Sequence, residues 1–350
     1  MLCTKCNLAV TGRDGRLLTD GRVYGTWDFK WPQGATIKVS FQEWSDKHPL
    51  KQVRFTPLDK NEKAILAGAE DAYGYLTRIV ECLGRRWLAG NPNIHLAFDH
   101  QNRISFPRGL AGRSAFRERR GDDYDVLVSL APLPIAQQRS VLEDGGEEVP
   151  ASKRYFLPGS ELGRYAQRID YRTPTMYLGK RVHFNGSSDR YFESREFPHW
   201  VIHEFGHALG LTHEQQNPNI YRRIHLKPMK DLLRILRKSL GYKPGEFQDV
   251  TEEEVDEEIT REWPALPGAP FCDFRTYRKG DPIDDTTSVM FHLYWARLLR
   301  GGDENAPPLY HHVPTPRDLE AVVQMYPQPS PAPAGAEPKR PGGRRPDAHR

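Results

Sequence analysis

VIHEFGHALGLTHEQ, residues 201–215, places three histidines and a glutamate between positions 203 and 213, with Gly210 between the second histidine and the third. On a helix, side chains four positions apart sit one turn apart, with Cβ atoms roughly 5–6 Å from each other. His203 and His207 therefore project side by side. Glu204 lies about 100° around from His203, so it flanks the pair without being forced to join it. Ile202, Phe205 and Leu209 supply apolar anchoring on the other face. Gly210 then ends the helix, because glycine takes a left-handed backbone at little cost and lets the chain return His213 to the other two.

Three neutral imidazoles and one open position form the donor set of catalytic zinc, at nitrogen–zinc distances of about 2.0–2.1 Å. A water in that open position has its pKa drawn from ~15.7 toward ~7. The stretch thus predicts one zinc ion held by His203, His207 and His213. Glu204 is the predicted base, taking the water's proton and later delivering it to a leaving amine. The plainer alternative is a helix whose histidines only hydrogen-bond in a core. HExxH alone leaves that alternative standing, whereas HExxHxxGxxH constrains the glycine and the third histidine as well. His225, His311 and His312 lack such spacing and read as surface or packing residues.

Outward from the motif, TIKVSF (36–41) alternates apolar and polar side chains as a half-buried strand does. The segment 61–88 carries Ile65, Ala69, Ala72, Leu76 and Ile79 at helical spacing and predicts one long helix. NIHLAFD (93–99), RISF (103–106) and DVLVSL (125–130) predict further strands. TPTMYLG (173–179) predicts a short strand entered through a proline, which suits a sheet edge. Residues 131–170, with the acidic run LEDGGEEVP, read as an exposed insertion. Pro198 falls in the first turn of the histidine helix, where a missing N–H costs nothing. Helices are predicted over 226–240 and over 251–263, the latter with Thr251 and Glu254 in capping-box spacing. TPRDLEAVVQMYP (315–327) predicts the last helix, with Thr315 as N-cap, Pro316 at the first helical position, Asp318 in the first turn and Pro327 as the stop.

At 350 residues and 38% hydrophobic content, the chain can bury the core of one large domain with extensions. Its 50 basic side chains against 46 acidic ones leave a net charge of +4, much of it in the terminal PKRPGGRRPDAHR. That balance argues for no specific nucleic-acid partner and no membrane partner. A nucleic-acid reading would rest on the tail and on Cys3 and Cys6, a CxxC without the second pair a zinc ribbon needs. Cys82 and Cys272 stand alone, so the 4 cysteines make no disulfide framework. No stretch reaches the ~18 apolar residues of a membrane span, and the amino terminus lacks the apolar run of a secretory signal. As written the protein is expected in the cytoplasm; a start codon assigned differently would leave room for export.

HEFGHALGLTH resembles the signature of the metzincin clan of zinc peptidases, with all three histidine ligands, the glutamate and the glycine in place. The EQQNP that follows looks most like the astacin branch, where a glutamate directly follows the third histidine; Glu214 holds that position. Metzincins carry a methionine in a tight turn beneath the metal, and DDTTSVMFHLY (284–294) is similar to its Ser-x-Met form, which nominates Met290. WDFKWPQGATIKVSF resembles the first strand of these domains, and PTMYLG is similar to the edge strand that pairs with an extended substrate. TPRDLEAVVQMYP looks like the closing helix of matrixins. One departure stands out: astacins place a tyrosine two residues after the turn methionine, whereas His292 stands here and Tyr294 is the nearest tyrosine.

The resemblance implies an α+β zincin (metzincin) fold: a twisted mixed sheet with a backing helix and an active-site helix, then a mainly helical C-terminal subdomain with the methionine turn. Composition predicts a flexible leader over 1–20 and a disordered Pro/Gly/Arg tail over 328–350, and the resemblance implies a catalytic domain over 21–327 divided at 215. It further implies a monomeric zinc-dependent endopeptidase with one catalytic Zn2+ and a protein or peptide substrate. The alternatives are a zinc hydrolase of another amide or ester, and a catalytically inactive relative that binds peptides. The intact Glu204 counts against the last.

Overall fold

Along Thr36–Gln42, Ile37, Val39 and Phe41 are buried while Thr36 and Lys38 face solvent, the alternation of a strand with one covered face. The computed structural model describes residues 30–42, 53, 55–104, 124–130, 158–160, 163–164, 174–179, 188–211, 213, 288–291 and 310–329. In it this strand, β1, lies between β2 (His95–Ile104) and β3 (Val126–Ser129), parallel to both. Two short strands complete the sheet, β4 (Gly159–Ser160) and β5 (Met176–Tyr177). β5 runs parallel to β3 and β4 runs antiparallel to β5, giving the order β2-β1-β3-β5-β4.

Two strand expectations change. The predicted strands 93–99 and 103–106 are one strand, with a register shift opposite Ser40–Gln42 that absorbs the polar residues between them. Asp99 marks the irregularity by accepting from the Gln101 N–H at 3.0 Å, a local bond that competes with the ladder. The second change concerns the sheet border. β5, expected at the edge, is covered by β4, so among the described residues the antiparallel border strand is β4.

The predicted helix 61–88 is two helices, α1 (Lys60–Ala67) and α2 (Ala72–Arg85), followed by a 3-10 turn at Arg86–Leu88. Local caps override the longer periodicity. Gly68 closes α1, and the guanidinium of Arg78 folds back to donate to the Ile65 carbonyl at 3.1 Å. Asp71 then caps α2 by accepting from the Gly74 N–H. Continuing a helix through glycine costs about 1 kcal/mol, and an aspartate N-cap contributes roughly 0.5–2 kcal/mol to a new start.

α2 buries Leu76, Ile79, Val80 and Leu83 in the core that Ile37, Val39, Val126 and Val128 of the sheet also line. α3 (Glu196–Ala208) packs beside α2, with Phe205 against Phe98 of β2 at 5.9 Å between ring centroids. α4 (Pro316–Met325) adds Ala321, Val322 and Met325 to the same core. Its start has the predicted N-cap, Thr315, and the predicted proline at the first position, and Asp318 completes a capping box with Thr315. A mixed sheet with a backing helix, α2, and a histidine-bearing helix, α3, is the α+β zincin arrangement. The predicted helices 226–240 and 251–263, the leader 1–20, most of 131–170 and nearly all of the tail lie outside the described residues. Of the C-terminal subdomain, α4 and Ser288–Phe291 are described. Among the described residues no helix is long and apolar enough to cross a membrane.

Candidate metal centre

α3 delivers two of the three histidines, and its end delivers the third. After Leu209 the backbone turns at Gly210, whose φ of +105° lies in the region glycine favours. Gly210 N–H donates to His207 O at 2.8 Å and Leu211 N–H donates to Gly206 O at 3.0 Å, the paired bonds of a Schellman stop. The last carbonyls of a helix lack internal partners, and here distant side chains supply them. Trp31 Nε1 donates to Ala208 O at 2.8 Å, and the Tyr326 hydroxyl donates to Leu209 O at 2.6 Å. Further back, Trp87 Nε1 donates to Ile202 O at 2.9 Å. Ile202, Phe205 and Leu209 are fully buried, as the helical face predicts.

The turn brings His213 to the pair on α3. His207 Nε2 lies 3.2 Å from His203 Nε2 and 3.2 Å from His213 Nε2, and the three ligand atoms all lie within 4.8 Å of one another. Two nitrogens at about 2.0–2.1 Å from one tetrahedral zinc stand roughly 3.3–3.4 Å apart, so the two 3.2 Å spacings at His207 fit that ion. The tautomers fit as well. His203 Nδ1 is 2.8 Å from Val289 O and His207 Nδ1 is 2.8 Å from Leu211 O. A carbonyl only accepts, so each Nδ1 carries the hydrogen and each Nε2 keeps its lone pair. Burial pushes His203 down to about 4, against a smaller upward pull from the Val289 carbonyl and from Asp318. It pushes His207 well below the usual histidine range. Both rings are thus neutral at physiological pH, the form a metal needs.

Glu204 follows His203 on the helix and is fully buried. Ser288–Phe291 forms the turn beneath, closed by the Phe291 N–H on Ser288 O at 3.1 Å. Met290 in this turn is fully buried and packs against Gly206 of α3, where an added Cβ would stand 2.2 Å from its sulfur. Glu214, His292 and Tyr294 lie outside the described residues, as do His225, Cys3, Cys6 and Cys272. His311 and His312 serve packing: the His311 N–H donates to His199 Nδ1 at 3.1 Å, and His312 Nε2 is 3.2 Å from Arg195 O.

Sequence reasoning missed one residue of this site. Asp318, expected only as an acidic residue in the first turn of α4, also accepts from Ser288 Oγ at 2.6 Å and from the Val289 N–H at 3.1 Å. The signal lay in an acidic first-turn residue on a helix that follows a Ser-Val-Met turn, but nothing in the spacing links the two.

Frame and signature together make a candidate metal centre: three buried histidines gathered beside the Met290 turn on an α+β sheet-and-helix frame. Three solved structures are similar to this chain along most of its length. Two are of myroilysin, one at 20% identity and TM-score 0.44 over 87% of this chain and 98% of that one. The other has 19% identity and TM-score 0.39 over 87% and 89%. The third is high choriolytic enzyme 1, a hatching enzyme zinc-protease from the medaka Oryzias latipes, at 12% identity and TM-score 0.33 over 86% of this chain and 96% of that one. No protein-family model and no curated protein matches the sequence.

Proposed function

We propose that the protein is a zinc-dependent endopeptidase whose ion is held by His203, His207 and His213. The observation that carries this reading is the convergence of three buried Nε2 atoms, two of them 3.2 Å from the third, with the Nδ1 hydrogens of His203 and His207 engaged on carbonyls. A bound zinc would polarise the carbonyl under attack and acidify a water. The protein's own residues do the rest. Glu204 takes the proton of the attacking water and returns it to the leaving amine. An extended peptide adds as a strand at the border of the sheet by backbone pairing. The catalytic unit is residues 21–327; α4 belongs to it, since Trp31 and Tyr326 bond directly across it.

The test is cleavage of a denatured protein mixture by purified, zinc-loaded protein, with new termini identified by mass spectrometry. New termini are expected, and a chelator should suppress them. Glu204→Gln should bind one zinc and cut nothing. A zinc-loaded wild type that produces no new termini overturns the peptidase reading. A Glu204→Gln variant as active as wild type overturns the role of Glu204 alone.

A further inference from the structure

Two of the three histidines orient themselves on backbone carbonyls, but the two carbonyls differ in what stands behind them. His207 Nδ1 meets Leu211 O, in the turn that ends its own helix. His203 Nδ1 meets Val289 O at 2.8 Å, and that oxygen belongs to the same peptide unit as the Met290 N–H. The Met290 N–H donates to Ser288 Oγ at 2.9 Å, and Ser288 Oγ donates its own hydrogen to Asp318 Oδ1 at 2.6 Å. Every donor in this series points the same way, from the imidazole toward the carboxylate. The other carboxylate oxygen is occupied by the Val289 N–H at 3.1 Å and the Thr315 N–H at 2.8 Å. Ser288, Val289, Asp318 and His203 are each at most 1% exposed, so water does not screen the series.

We propose that this relay, Asp318 to Ser288 to the Val289–Met290 peptide to His203, sets how tightly His203 holds the metal. It rests on the reading of the three histidines as zinc ligands. The physics is cooperative polarisation. A carboxylate accepting the serine hydrogen makes Oγ a stronger acceptor, and Oγ in turn pulls on the Met290 N–H. That pull places more negative charge on the Val289 oxygen, at the other end of the same amide. A more negative oxygen holds the Nδ1 hydrogen more firmly and raises electron density at Nε2. Ligating histidines usually take such support from a carboxylate or carbonyl in direct contact; here the charge arrives through one hydroxyl and one peptide. Asp318 and Ser288 are positioning residues, acting on the metal only through His203. The turn beneath the centre therefore carries charge from α4 as well as supplying the packing of Met290.

Ser288→Ala removes the hydroxyl and nothing else, and Ser288→Thr keeps it. Zinc affinity of the full-length chain is measured by competition with a chromogenic chelator, and melting of the zinc-free protein is recorded in parallel. Ser288→Ala should weaken zinc binding about tenfold, the lower end of the loss seen when such partners are removed, while Ser288→Thr should stay within about twofold of wild type. Asp318→Asn should weaken it at least as much as Ser288→Ala. A wild-type chain that binds zinc, beside a folded Ser288→Ala variant of equal affinity, overturns the relay and leaves the zinc reading intact, even if that variant melts lower. A wild-type chain that binds no zinc overturns both. Should neither variant fold, the zinc-loaded wild type still decides by nuclear magnetic resonance. A protected His203 Nδ1–H coupled to the Val289 carbonyl is expected, and a His203 bound through Nδ1 would end the proposal.

Discussion

The hydroxyl of Tyr326 joins three distant parts of the chain: it donates to Leu209 O at 2.6 Å and accepts from the Trp31 N–H at 3.2 Å. The ring is fully buried, and burial pushes its hydroxyl well above the ordinary tyrosine range, so it remains a donor. Tyr326→Phe keeps the ring and strands both a buried carbonyl and a buried N–H. Each stranded group costs about 1–3 kcal/mol, so a loss of at least ~2 kcal/mol is expected in urea unfolding. An unchanged unfolding midpoint would show that the contact does not hold the helix end.

The legible parts of this protein are those written at short range. His203, His207, Gly210 and His213 lie within one helix and its stop, so helical spacing and glycine chemistry were enough to anticipate that the three histidines gather. The Thr315 cap and the first-turn Asp318 were equally local. The break at Gly68–Asp71 was written in the same residues, but the apolar series running through it masked the two caps. β4 and β5 are two residues each, too short to show any period, so their order in the sheet is set by pairing alone. Asp318 reaching Ser288 spans 30 positions, and a capping aspartate looks the same whether or not its carboxylate has a second task.

Gly206 tests how tightly the methionine turn fits. A Cβ there would stand 2.2 Å from Met290 Sδ and 2.9 Å from Trp87 Cζ2. The thioether can swing aside, whereas the indole is pinned by its bond to Ile202 O at 2.9 Å. Gly206→Ala gains about 1 kcal/mol of helix propensity and loses roughly 1–3 kcal/mol to overpacking. The clash should win, so the variant should melt lower than wild type. A melting temperature equal to or above wild type would mean that the indole yields.

Acid should reveal a second support, behind the sheet. Glu81 accepts from Arg85 Nε at 2.8 Å and pairs with His100 Nε2 at 2.7 Å. Burial pushes its carboxyl up, but the bonds to His100 and Arg85 outweigh burial and hold it below the usual 4.5. A carboxyl lowered on folding stabilises above its unfolded value and loses that contribution as pH falls through its folded value. Glu81→Gln should therefore be less stable than wild type near neutral pH, and the gap should close below the 4.5 of the unfolded carboxyl. Urea unfolding at stepped pH reads the gap directly, and a constant gap down to the acid transition rejects the assignment.

Arg86 and Glu62 form a forked, buried ion pair. Nε meets Oε1 at 2.8 Å and Nη2 meets Oε2 at 2.9 Å, while Nη1 donates to the His312 carbonyl. The Phe55 ring lies 5.3 Å from the guanidinium. Two opposed charges in a buried site nearly cancel their own desolvation, so the pair contributes less than the loss of one member suggests. Arg86→Met leaves the Glu62 carboxylate uncompensated and should cost about 3–5 kcal/mol. Replacing both residues with methionine removes the stranded charge, so the double variant should recover at least half of that loss. The comparison is read by urea unfolding of wild type, both single variants and the double variant. If the two single losses simply add in the double variant, the pair is not coupled and its forked geometry contributes nothing.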